Sequence, residues 1–349
     1  MVELSNFPTG KEKKLDGNPW KDEGEVRLSL SKEENKAKTI EIRSSLVVAE
    51  AFYQDVLRFA ISVMDKVASG GENDIDGADI LANADRFYKI LTTSINPDDL
   101  LRLVAQHDEM HKNNYIYIQA INVCFVSVRI ALSLKFSAKE LRELLISSLF
   151  HDIGMMKIPM AIWNKNERLN PSEEKEVEKH PIYSEEIFRK IKGMDEEIIL
   201  AIAQHQEKAD GSGYPKHLKG NEIYHLARLI GLVDRYEAQT HTRPWRARYA
   251  PDHALQHILD NESNSYDPYY MKAMLRYVSI FPVGSWVKIS SGEIGNVVRT
   301  NEDSPMRPVI SISFDRDRKI IPEPRIMDLS KQLLVHVEHC VNPEHLNVL

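Results

Sequence analysis

Only two cysteines, Cys124 and Cys340, occur in 349 residues, and they stand far apart in stretches of different character. That spacing excludes a disulfide framework and a cysteine-built zinc site. The sequence contains no obvious apolar run of the roughly 18 residues that a membrane span needs, and the N-terminal "MVELSNFPTGKEKKLDG" has no apolar signal core. A cytoplasmic protein that does not associate with membranes is therefore expected. Basic residues are outnumbered, 45 Lys and Arg against 52 Asp and Glu, giving a net charge of -7. Such a balance argues against a DNA or RNA binder and leaves room for a local basic pocket. Internal repeats and low-complexity tracts are also lacking.

What is present is mainly α. With 42% hydrophobic and 28% charged residues the chain can bury a sizeable core. Residues 1–37, polar and rich in Lys, Glu and Gly, read as a mobile leader. From 38 to 69 apolar residues recur at three- and four-residue steps (Leu46, Ala49, Tyr53, Val56, Ala60, Val63, Val67) until Gly70-Gly71. This is a long amphipathic helix, either the core-facing helix of a bundle or one half of a homodimer through 38–69. It opens a helical N-terminal region, 38–109, in which "NPDD" at 96–99 signals a helix start. Helical periodicity continues over 110–277. After Phe281-Pro282 the pattern turns to β-branched alternation, "SWVKISSGEIGNVVRT" and "RPVISISF", predicting a small β-rich C-terminal domain over 278–349.

The chemistry-bearing residues cluster in the helical middle. His151-Asp152 follows the apolar "LISSLF", and an adjacent imidazole and carboxylate can serve one metal while the carboxylate bridges to a second. His180 in "EKHPIYSEEIF", His205 in "IAQHQEKADGSGYP" and Asp234 in "LIGLVDRYEA" offer further donors from separate helices. Nitrogen and carboxylate donors gathered from several helices suit a di-metal site for Fe, Mn or Zn. Other histidines are weaker candidates: His107 and His111 lie in a polar stretch, His336 and His339 in the β-tail, and His241 reads as a surface or phosphate-side residue.

Taken in order, His151-Asp152 with Ile158-Pro159, His180-Pro181, "ADGSGYP" at 209–215, "DRYEA" at 234–238 and "RPWR" at 243–246 resemble the HD-GYP family of HD phosphohydrolases. The resemblance is strong over about 110–275. It implies an HD-type helical bundle that hydrolyses cyclic di-GMP at a two- or three-metal centre, usually iron or manganese. Position by position it implies metal ligation by His151, Asp152, His180, His205 and Asp234, and phosphate binding by Arg243 and Arg246. The loop with Gly213, Tyr214 and Pro215 is implied to contact a GGDEF-type partner.

Four positions depart from the family pattern. Tyr115 stands for a glutamate, Gln119 for a histidine, Met155 for the lysine after HDxG, and Gln206 for the second histidine of an HHE segment. A neutral amide is a poorer ligand than imidazole, so one or two metals per chain in an incomplete shell are expected rather than three. Asp152 and Lys157 are the catalytic candidates, Lys157 as a stand-in cation for Met155. Three readings follow: a cyclic di-GMP phosphodiesterase with a weakened centre, a catalytically silent module that binds cyclic di-GMP or a GGDEF-type partner, and a phosphohydrolase for another nucleotide.

Overall fold

The computed structural model describes residues 32–106, 115–241 and 249–341. Twelve α-helices among these residues precede a five-stranded antiparallel sheet. The first helix, α1 (Lys32–Ala68), begins inside the stretch expected to be a leader. Its first turns, "KEENKAK", are polar but built from good helix formers, and a polar composition alone does not distinguish leader from helix. Residues 1–31 lie outside the described residues.

The stripe seen in the sequence of α1 is spent on the bundle: Ala49, Tyr53, Val56, Ala60, Val63 and Val67 are buried in the main core. That face packs within the chain. Helices α2 (Gly77–Thr93) and α3 (Pro97–Gln106) share this core, so packing runs straight through the 109/110 boundary. The cap expected at "NPDD" is present, with Asn96 Oδ1 accepting from Asp98 N at 3.1 Å.

At the centre lies α4 (Tyr115–Ser133), almost all of it buried. By length and composition it is apolar enough to cross a membrane, contrary to the expectation that no such run exists, yet 83% of that apolar window is buried inside the bundle. It is followed by α5 (Ala138–Leu149), α6 (Met160–Trp163), α7 (Pro171–Val177), α8 (His180–Lys190), α9 (Glu196–Gln204), α10 (His225–Thr240), α11 (Pro251–Asn261) and α12 (Pro268–Tyr277), of which α5, α10 and α12 pack directly against it. Starts are set locally. Ser137 with Glu140 and Asn170 with Glu173 form capping boxes on α5 and α7, and Pro171 occupies the first turn of α7.

The strands are β1 (Trp286–Ile289), β2 (Ile294–Arg299), β3 (Val309–Phe314), β4 (Ile320–Asp328) and β5 (Val337–Cys340), in the spatial order β4-β3-β2-β1-β5. Alternate residues of β1, β2 and β3 (Val287, Ile289, Val297, Ile310, Ile312) form a second, smaller core. The sheet is tied to the bundle where buried Arg102 donates to Val298 O at 2.7 Å while pairing with Asp99 at 2.8 Å.

Candidate metal centre

Three helix ends converge near α4 and α10. His151 follows α5, His180 lies three residues past the end of α7, and His205 caps α9. The last carbonyls of a helix have no partner within it. Here they take the histidine rings: Nδ1 lies 2.7 Å from the carbonyl three residues back in each case, Ser148 for His151, Val177 for His180 and Ile202 for His205. A carbonyl only accepts, so each Nδ1 carries the proton and each Nε2 presents a lone pair.

Those lone pairs meet at Asp152. His180 Nε2 and His205 Nε2 stand 3.0 and 3.3 Å from Asp152 Oδ1 and 3.2 Å from each other. His151 Nε2 stands 3.5 Å from Asp152 Oδ2 and 3.7 Å from Asp234 Oδ1. Two groups of three can each surround an ion, Asp152 with His180 and His205, and His151 with His205 and Asp234. His151 Nε2 and Asp152 Oδ1 are buried and make no hydrogen bond. Buried acceptors facing one another are unfavourable unless a cation or proton lies between them. The donor set therefore fits a divalent metal of the imidazole- and carboxylate-preferring kind.

In the metal-free chain protons take that part. Burial disfavours a charged His151, but the Asp152 and Asp234 carboxylates outweigh it and raise its pKa to about 9. Burial likewise opposes ionisation of Asp152, and His151 and His180 overcome it, holding that carboxyl well below the usual range. At His205 burial prevails and the pKa falls.

Close backbone approach makes the convergence sterically feasible. A Cβ on Gly154 would lie 2.1 Å from His180 O, so only glycine lets α8 rest on the turn after His151-Asp152. Ser184 fastens that contact, donating to His151 O at 3.0 Å and accepting from Gly154 N at 2.8 Å.

The substituted positions are all accounted for. The Gln119 amide nitrogen donates to Asp234 Oδ1 at 2.6 Å and Asp152 Oδ2 at 3.3 Å, and the Gln206 amide nitrogen to Asp234 Oδ2 at 2.9 Å. Tyr115 donates to Trp163 O at 2.9 Å. Met155 is buried on the wall of a cavity of about 320 Å³ that opens on the cluster. Lys157 is not on that wall. Its ammonium pairs with Glu72 at 2.7 Å, so the stand-in cation expected from sequence is directed elsewhere by an ion pair 85 residues away.

The loop after α9 closes over the cluster. Tyr214 lines the cavity and sets its ring edge-on to His180, 6.1 Å between centroids, ahead of a cis Tyr214-Pro215 bond. Gly213 has no room for a Cβ, which would meet Lys208 N at 2.3 Å. Glu207, which the sequence reading passed over, anchors this loop: its buried carboxylate accepts from Lys216 N at 2.6 Å and Leu218 N at 2.9 Å. Its signal was the acid directly after the histidine pair position. Arg243 and Arg246 lie outside the described residues, as do His107 and His111. His241 stands apart from the cluster with Nε2 3.2 Å from Val104 O, while His339 pairs with Lys288 within the β1–β5 ladder and His336 immediately precedes β5.

Residues 99–269 match the family model described as HD domain, and residues 286–349 the one described as a KOW domain associated with HD domain. Cyclic di-GMP phosphodiesterase PA4108 of Pseudomonas aeruginosa is 28% identical over 236 residues, 68% of this chain and 56% of that protein. Cyclic di-GMP phosphodiesterase PdeB of Borreliella burgdorferi is 25% identical over 219 residues, 63% of this chain and 56% of that one. The chain thus spans 56% of the length of each of these two relatives. Among solved structures, Bd1817, a HDG"Y"P protein from Bdellovibrio bacteriovorus, superposes with a TM-score of 0.53 at 18% identity, covering 70% of this chain and 80% of that one. The fold, the ordered motifs and these relatives agree: the chain belongs to the HD-GYP family of HD-domain proteins.

Proposed function

We propose that this chain is a metal-dependent cyclic di-GMP phosphodiesterase with an incomplete metal shell, acting in the cytoplasm. The observation that carries the reading is the set of three imidazole Nε2 lone pairs directed by helix-end carbonyls at Asp152, those of His180 and His205 at its buried Oδ1 and that of His151 at its Oδ2. The names of the relatives from Pseudomonas and Borreliella supply the substrate.

A divalent ion there, iron or manganese, supplies Lewis acidity toward a phosphoryl oxygen and toward the attacking water. Asp152 with His180 and His205 would hold one ion, and His151 with Asp234 would contribute to holding a second beside the shared His205. The amides of Gln119 and Gln206 engage both Asp234 oxygens and one of Asp152, which weakens the half that includes Asp234. With Tyr115 directed to Trp163, no carboxylate remains at that position for a third ion. Arg243 and Arg246 would hold the substrate phosphates by charge-assisted hydrogen bonds.

The same amide contacts favour a second reading, in which Gln119 and Gln206 lock the carboxylates and the chain is a silent module that binds cyclic di-GMP or offers Gly213, Tyr214 and Pro215 to a GGDEF-type partner. Paired variants separate the two. Asp152→Ala is expected to remove both metal and cyclic di-GMP hydrolysis, whereas Arg243→Ala with Arg246→Ala weakens cyclic di-GMP binding by on the order of 2 kcal/mol and spares metal content. Binding without hydrolysis in a metal-loaded wild-type chain would decide for the silent module.

A further inference from the structure

We infer that Lys208 is the phosphate-anchoring cation of this cavity, performing by a different route the task that Met155 cannot. The inference rests on the proposal that the cavity receives a phosphodiester. Two cations, Lys208 and Arg235, are among the described residues that line it. Arg235 is already committed: its guanidinium is paired with Glu262, with Nε 3.0 Å from both carboxylate oxygens. Lys157 is committed to Glu72. Lys208 makes no ion pair among the described residues.

The nearby acids are occupied elsewhere. Glu207 is held by the backbone amides of Lys216 and Leu218. Asp210, whose carboxyl feels the Lys208 charge, gives one oxygen to Ser212 N at 2.8 Å and the other to Ser265 Oγ at 2.7 Å. The lysine thus keeps its charge available to a ligand.

Its backbone is also fixed. Lys208 O accepts from Gly211 N at 2.8 Å, Ala209 N donates to Ser265 O at 2.8 Å, and Gly213 packs on Lys208 N too closely for any side chain. A half-buried lysine, its ammonium on a flexible stem, is therefore mounted on a rigid loop three residues after the candidate metal ligand His205. That placement suits a non-bridging phosphoryl oxygen of a ligand whose neighbouring oxygen lies at the metal.

Calorimetric titration of the metal-loaded full chain with cyclic di-GMP and, separately, with inorganic phosphate tests this, comparing wild type, Lys208→Met and Lys208→Arg, with elemental analysis of each. Lys208→Met should weaken both ligands by about tenfold or more, and Lys208→Arg should restore most of that, with metal content unchanged. Wild-type affinity in Lys208→Met overturns the inference, as does a loss that arginine does not rescue. Phosphate binding that depends on Lys208, in a chain that does not bind cyclic di-GMP, upholds the anchor and contradicts the substrate reading. A metal-loaded wild-type chain that binds neither overturns both.

Discussion

At His151, His180 and His205 the residue chemistry was legible in the sequence, while the device that aims it was not. Metal-ligand residue types can be read from motifs. That each ring gives its Nδ1 proton to a helix-end carbonyl depends on where α5, α7 and α9 stop, and boundaries are the least certain part of any sequence reading. The roles of Gln119 and Gln206 were anticipated only as weaker ligands. Their amides instead donate to carboxylates 115 and 28 residues away. Lys157 was misjudged for the same reason, since nothing local announces Glu72.

Two predictions belong at this scale. Gln119→His with Gln206→His should raise metal content per chain, since each exchange removes a donor that engages Asp234 and adds an imidazole. Unchanged content by elemental analysis would refute the incomplete shell. The second concerns pH. His151 is raised from its ordinary 6.5 to about 9, so in the metal-free chain it stabilises the fold fully below pH 6.5 and loses that contribution as pH climbs through 9. Asp152 and Asp234, held low, contribute above the usual carboxylate range and lose it as pH falls below. Urea midpoints in chelator should therefore drop between pH 6.5 and 9, and added metal, which competes with the His151 proton, should reverse the trend. A flat profile in that window would show that the cluster does not hold that proton.

At the scale of elements, periodicity and capping carried the reading well. The α1 stripe, the "NPDD" start and the β-branched alternation after Phe281 all correspond to elements in the structure. Two misjudgements have physical causes. The first turns of α1 are polar, and a polar composition is common to leaders and to solvent-exposed helix turns. The apolar α4 was not recognised as a run of spanning length because Gln119, Asn122, Ser127 and Arg129 interrupt it, although most of them are buried with hydrogen bonds to partners distant in sequence. The capping box on α5 supports the helix that delivers His151. Ser137→Ala should cost about 1 kcal/mol in urea denaturation while leaving metal content intact. A loss of metal there would show that the helix end, not only the ring, depends on this cap.

Across the whole molecule, one apolar core joins the N-terminal helices to the HD body, and a few polar ties join that body to the sheet. Arg102 is a buried tie of this kind, linking Asp99 on α3 to the β2 backbone. Removing it leaves the buried Asp99 carboxylate without its cation, so Arg102→Met should destabilise the chain by about 3 kcal/mol or more. A change within error would mean that the tie contributes specificity and little stability.

The central claim, that the convergent histidines and carboxylates hold metal for phosphodiester hydrolysis, is tested most directly by one titration. The rate of cyclic di-GMP loss is followed as iron or manganese is added back to chelated protein, with metal content measured at each point. The account predicts no turnover without metal and a rate that rises with occupancy and levels off at no more than two ions per chain. A chain fully loaded yet inert, or one whose turnover ignores the chelator, would contradict it.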